Sequence, residues 1–145
     1  MRYYIEHNKQ YNEYVQAQND LQDVLDEYMI VFQKTQPKVS YGEHTQGNPT
    51  NKVEEFVIEV ERRRLYKRMT DAKAVIDAKG ELLKIAEEQL RKSKDIYDLI
   101  YTKKWVDKKR PKDIYRELDL MGMNYSRSQI YEIIKRIKAQ TGRDF

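Results

Sequence analysis

Ser126-Arg127-Ser128-Gln129 stands directly before isoleucines at 130, 133, 134 and 137, and this joining of a helix start to a one-sided apolar stripe constrains the chain more than any other feature. The Ser126 hydroxyl is spaced to accept from the backbone N–H of Gln129 while the Gln129 side chain reaches back to Ser126, which fixes a first helical turn. Burial of the isoleucine stripe turns Arg127, Ser128, Tyr131, Glu132 and Lys135 outward. Lys135, Arg136 and Lys138 make the same helix basic. The pattern predicts a helix over 126–139.

Upstream, Pro111-Lys112-Asp113-Ile114-Tyr115-Arg116-Glu117-Leu118 has proline where a helix begins and apolar residues at 114, 115 and 118, the mark of a short supporting helix. Met121-Gly122-Met123-Asn124-Tyr125 supplies a turn between the two, in the helix, turn, helix order of a major-groove reader. Ser93 to Trp105 predicts a further helix that directs Ile96, Leu99, Ile100 and Trp105 inward, so that three short helices close one core.

From Ser93 onward the chain resembles the C-terminal domain of the ArpU/RinA-type phage late-gene transcription regulators, which is similar to region 4 of bacterial sigma factors. The residues that carry the resemblance are Ile114, Glu117 and Leu118, then Ser126-Arg127-Ser128-Gln129-Ile130-Tyr131 and Ile133-Ile134-Lys135-Arg136-Ile137. Asn48-Pro49-Thr50-Asn51-Lys52-Val53-Glu54 is similar to the junction that precedes a long helix in that family. The resemblance implies double-stranded DNA as the ligand, host RNA polymerase as a partner, the cytoplasm of a bacterial host as the location and activation of phage or prophage late genes as the role. One departure stands out. Residues Asp119 to Tyr125 separate Leu118 from Ser126, where the family pattern has about two residues. Either the supporting helix runs a turn further through Leu120 and Met121, or the turn is enlarged.

Five Gly and three Pro in 145 residues, with 36% charged and 39% hydrophobic residues, imply long helices and an all-α fold. The sequence has no cysteine, hence no disulfide framework and no thiolate metal site. No long apolar run points to a membrane, and Met1-Arg2-Tyr3-Tyr4-Ile5-Glu6 is not a signal peptide.

Charge is unevenly divided. Residues 91–145 hold 15 Lys and Arg against 8 Asp and Glu, an excess of seven positive charges, whereas residues 1–90 carry three more acids than bases. This sets a boundary between an N-terminal oligomerisation or partner-docking region, 1–90, and a C-terminal DNA-binding domain, 91–145. Lys103, Lys104, Lys108, Lys109, Arg110 and Lys112 cluster beside the supporting helix and, with Arg136 and Lys138, are the expected phosphate contacts; a solvated charged loop is the other reading of the cluster. Base edges fall to Arg127, placed for a guanine, and to Ser128, Gln129, Tyr131, Glu132 and Lys135. Gln129 is divided, since its capping groups cannot also read an adenine.

In the N-terminal region, Tyr4, Tyr11, Leu25 and Phe32 occupy one position of a heptad-like frame and Tyr14, Leu21 and Tyr28 another, interrupted by His7 and Gln18. So many tyrosines suit packing against another helix. Thr50 to about Gly80 supplies one, through Val53, Phe56, Val57 and Val60, then Leu65, Met69, Ala72 and Ile76. The expected arrangement is an antiparallel hairpin across a loop at 34–49, with the same surface open to a second subunit in a dimer or tetramer. In that loop, Asn48 or Thr50 is placed to cap the next helix, and His44 is a loop residue rather than a ligand. Arg62, Arg63, Arg64, Lys67 and Arg68 pair with preceding glutamates, Glu59 with Arg63 among them, or form a second phosphate surface. Gly80 marks a kink or break, after which Leu82, Leu83, Ile85, Ala86 and Leu90 continue toward the DNA-binding domain.

No Gly-rich phosphate loop, H-E-x-x-H or nucleophile with a histidine partner is present, so neither catalysis nor a cofactor or metal is expected. Two further readings compete with a regulator: the small DNA-recognition subunit of a phage packaging terminase, and a helical protein–protein adaptor with a basic tail.

Overall fold

The computed structural model describes residues 2–35 and 49–143, and among them every regular element is helical. The chain is all-α. Helix α1 spans Tyr4–Thr35, α2 Pro49–Arg62, α3 Leu65–Lys92, α4 Ile96–Tyr101, α5 Pro111–Leu120 and α6 Arg127–Thr141, with a π-helical turn at Thr102–Val106 continuing α4. The loop expected at 34–49 is narrower at both edges, because Lys34 and Pro49 are helical; His44, Asn48 and the rest of it lie outside the described residues. Thr50 is inside α2 and does not cap it. No described helix is long and apolar enough to cross a membrane.

The described chain forms two compact units, Tyr14–Lys79 and a second made of Met1–Glu13 together with Gly80–Phe145. The boundary drawn at residue 90 from charge does not follow this division. Helices α1 and α3 each contribute to both units.

In the Tyr14–Lys79 unit, Val24 and Val31 of α1 are buried with Val60 of α2 and Leu65 of α3, flanked by Tyr28, Phe56 and Met69. The heptad frame of α1 is half as expected. Tyr14, Leu21 and Tyr28 are partly buried, but the companion position is held by Ala17, Val24 and Val31 rather than by Gln18, Leu25 and Phe32. Moving that position back by one residue gives alternating steps of three and four from Tyr14 to Val31, and Gln18 no longer interrupts the seam. Tyr28 and Phe32 meet the Phe56 ring edge-on, with centroids 5.6 and 5.8 Å apart.

The expected helix from Thr50 to Gly80 is broken at Arg63-Arg64, where Arg64 adopts φ 53°. Residues five apart on a continuous helix point about 140° apart; the break lets both Val60 and Leu65 enter one core, each at most 1% exposed. Val53 and Val57, expected to face inward, are exposed. Gly80 is no break: α3 runs through it, and Leu65, Met69, Ala72, Ile76, Lys79, Leu83, Ala86 and Leu90 form one unbroken series of buried or half-buried positions. Such burial outweighs the roughly 1 kcal/mol that glycine costs inside a helix. Leu82 and Ile85 fall off the seam and are exposed.

The core of the other unit joins Tyr97, Ile100 and Tyr101 of α4, Ile114 and Leu118 of α5 and the four isoleucines of α6 with Tyr4 of α1 and Leu90 of α3. Three short helices therefore do not close this core alone. Ser93 does not begin the fourth helix; Asp95 caps it, accepting from Tyr97 N at 2.9 Å. Ile100 is buried as expected, while Ile96, Leu99 and Trp105 are only partly so and Tyr97, Asp98 and Tyr101 take the interior.

Asp98 is fully buried, and its carboxylate accepts from Tyr3 N at 3.1 Å, Tyr4 N at 2.9 Å and the Ser93 hydroxyl at 2.6 Å. A side chain of α4 thereby satisfies free N–H groups at the start of α1. From the same turn of α1, the Tyr4 hydroxyl donates to Gln140, Asn8 Nδ2 donates to the Thr141 carbonyl at 3.4 Å and Arg143 Nε donates to Asn8 Oδ1 at 2.7 Å. His7, far from interrupting a seam, is buried and shares a 2.9 Å hydrogen bond with the Tyr101 hydroxyl.

Candidate nucleic-acid interface

Helix α5 begins at Pro111 and extends to Leu120, two residues beyond the segment read from the sequence, and Met121 caps it. Of the extra residues before Ser126, Asp119 and Leu120 lengthen the helix and Met121 to Tyr125 form the turn, so the helix is somewhat longer and the turn is enlarged as well. Gly122 then takes φ 79°, a left-handed conformation in which a side chain is strained. Met123 N donates to the Leu118 carbonyl at 3.0 Å, which closes the turn back on the helix end.

Both halves of the capping box are formed: Gln129 N donates to Ser126 Oγ at 3.2 Å and Ser126 N donates to Gln129 Oε1 at 2.8 Å. At the far end Gly142, φ 70°, terminates α6. Between these stops Ile130, Ile133, Ile134 and Ile137 are buried, and Arg127, Ser128, Gln129, Tyr131, Glu132, Lys135 and Arg136 are exposed. The structure therefore brings the expected base-edge residues to one face. Gln129 differs from the others, since its Oε1 already accepts from Ser126 N in the cap.

The basic cluster divides. Lys103 Nζ lies 3.1 Å from Glu117, and Lys109 pairs with the other oxygen of the same carboxylate. These bonds, that to Lys109 foremost, hold the Glu117 carboxyl below its ordinary range. Lys104 lies 5.5 Å from the centroid of the Trp105 ring, and burial, then the nearby Lys138, lowers its ammonium pKa. Lys108, Arg110 and Lys112 are exposed, Lys108 in a left-handed conformation just after the π-helical turn and the other two at the start of α5. Arg110 also lies 3.6 Å from Asp113.

On α6, Arg136 Nη1 donates to the Tyr97 hydroxyl at 3.0 Å and stands 3.8 Å from Glu132. Arg2 stacks over the same Tyr97 ring, 3.7 Å from its centroid. Lys138 is half-buried. Sequence reasoning missed Tyr97 and Asp98. The signal for Asp98 was a carboxylate between apolar neighbours, Ile96, Tyr97, Leu99 and Ile100, on a helix whose interior face it shares.

The Arg62–Arg68 band is engaged internally as far as its described pairs go: Arg62 and Arg63 reach Glu59 at 3.4 and 3.2 Å, and Arg63 and Arg68 reach Glu27 at 3.4 and 2.8 Å. These pairs favour the helix-pairing reading of the band over a phosphate surface.

No protein-family model, curated protein or solved structure matches the chain.

Proposed function

We propose that the protein is a sequence-specific transcription regulator that reads the major groove of double-stranded DNA with α6. The observation that carries this reading is the exposed face of that helix: the capping box fixes its start, the isoleucine stripe fixes its rotation, and Arg127, Ser128, Tyr131, Glu132 and Lys135 project together from it. Lys108, Arg110 and Lys112 supply phosphate contacts beside it, while Lys103 and Lys109 act through Glu117 instead. The resemblance to late-gene regulators supports activation through RNA polymerase in the bacterial cytoplasm. Neither catalysis nor a cofactor enters this reading. The exposed apolar residues of α2, Val53, Val57 and Ile58, support a dimer or tetramer built through the Tyr14–Lys79 unit.

Selection from a random duplex library at two salt concentrations tests the proposal. Enrichment of one motif that survives the higher salt is the expected result. Binding without a motif, lost as salt rises, would reduce α6 to a basic surface and bring forward the adaptor reading. Light scattering separates the remaining alternative, because a ring of many subunits would favour a packaging terminase.

A further inference from the structure

The first turns of α5 and α6 enclose a cleft of about 330 Å³ lined by Pro111, Lys112, Tyr115, Arg127, Ile130 and Tyr131. Its chemistry is of two kinds. Proline and two tyrosine rings offer an apolar surface above the buried Ile130, and Lys112 and Arg127 stand at it as exposed cations. Arg127 is stacked on one of these rings, its guanidinium carbon 5.0 Å from the Tyr115 centroid. Among the described residues no carboxylate pairs with either cation. A small anion alone would leave the rings unused, and an apolar peptide would leave the cations unmatched. A nucleotide within a duplex strand supplies both kinds of surface, and in the major groove the apolar projection at a base edge is the 5-methyl group of thymine.

Resting on the DNA-binding reading above, we infer that this cleft is a thymine-specific subsite: the 5-methyl group lies against the Tyr115 and Tyr131 rings, and Lys112 holds the flanking phosphate. Arg127 closes the cleft with its stacked face, which leaves its N–H edge for the neighbouring base pair. The cleft thus adds a thymine to the sequence read by α6, next to the base that Arg127 contacts.

The test uses the full chain and the tightest duplex from the library selection, with each thymine replaced in turn by uracil, which lacks only the methyl group. Fluorescence anisotropy is expected to show about fourfold weaker binding at one thymine of each half-site, the value of one buried methyl-sized group. In Tyr131→Ala, altered at a residue that is 52% exposed, the thymine and uracil duplexes are expected to bind alike. Lys112→Gln is expected to weaken both equally. The scan on the unsubstituted protein decides by itself if a variant does not fold. A selected motif that contains no thymine, or in which no uracil replacement changes affinity more than about twofold, overturns the subsite and leaves sequence-specific binding intact. Failure to select any motif overturns both.

Discussion

Two buried polar residues, Asp98 and His7, carry more of the unit that contains α6 than their size suggests. Removing the Asp98 carboxylate leaves the buried Tyr4 N–H and the part-buried Tyr3 N–H without their acceptor. Asp98→Ala is expected to destabilise the protein by about 2–4 kcal/mol, and Asp98→Asn, which keeps one acceptor oxygen, by roughly half of that, measured by urea unfolding. His7 gives a pH dependence of defined sign. Burial, and secondarily the Arg143 guanidinium, lowers its pKa, so the folded protein resists a proton that the unfolded chain accepts at about pH 6.5. The stability it contributes is complete above that pH and is lost as pH falls through the lower folded value. The urea midpoint is therefore expected to fall on acidification below about pH 6.5, and less steeply in His7→Gln. Burial also pushes the Tyr101 hydroxyl up to about 12, so this partner of His7 stays protonated across the whole window.

At the scale of elements, the helix with the most local information was the most legible. Its cap, its stripe and its outward face all follow from residues within one short stretch, and Ser126→Ala is expected to cost about 1 kcal/mol in thermal or urea unfolding by removing the acceptor for Gln129 N. Where burial depends on distant partners, the sequence was less informative. The seam of α1 was misplaced at one of its two positions because Tyr11, Leu25 and Phe32 are larger than Ala17, Val24 and Val31, yet the smaller residues face the interior. The break at Arg63-Arg64 carries no glycine or proline; the requirement to bury Val60 and Leu65 together produces it. Gly80 gave the opposite error, because the series of buried or half-buried positions that continues across it, with Ile76 and Leu83 on either side, overrides a local propensity. The basic cluster was visible as charge, but its division was not, since Glu117 draws Lys103 and Lys109 only once α5 is folded against the π-helical turn.

For the whole molecule, the proposed activity separates two kinds of residue. Arg127→Ala is expected to lower discrimination at one base pair by about 1–3 kcal/mol, measured against single-base variants of the selected duplex. Lys112→Ala is expected to weaken binding to all duplexes and to reduce the slope of log K against log salt by about one. Lys109→Ala should instead act through the Glu117 pair, with little change in that slope. Equal losses on specific and random DNA for Arg127 and Lys112 would count against the assignment of α6.

The cap on α1 also orders events in time. Tyr4 N and its acceptor Asp98 are 94 residues apart, so on a ribosome adding about 5–20 residues per second the first turn of α1 waits roughly 5–20 s for the carboxylate that completes it. The side chains at the far end of α6 that meet Tyr4 and Asn8 come later still. A chain halted before these residues emerge has made its first helix but not the surroundings that hold it, and the core around α6 closes only after α6 itself has emerged.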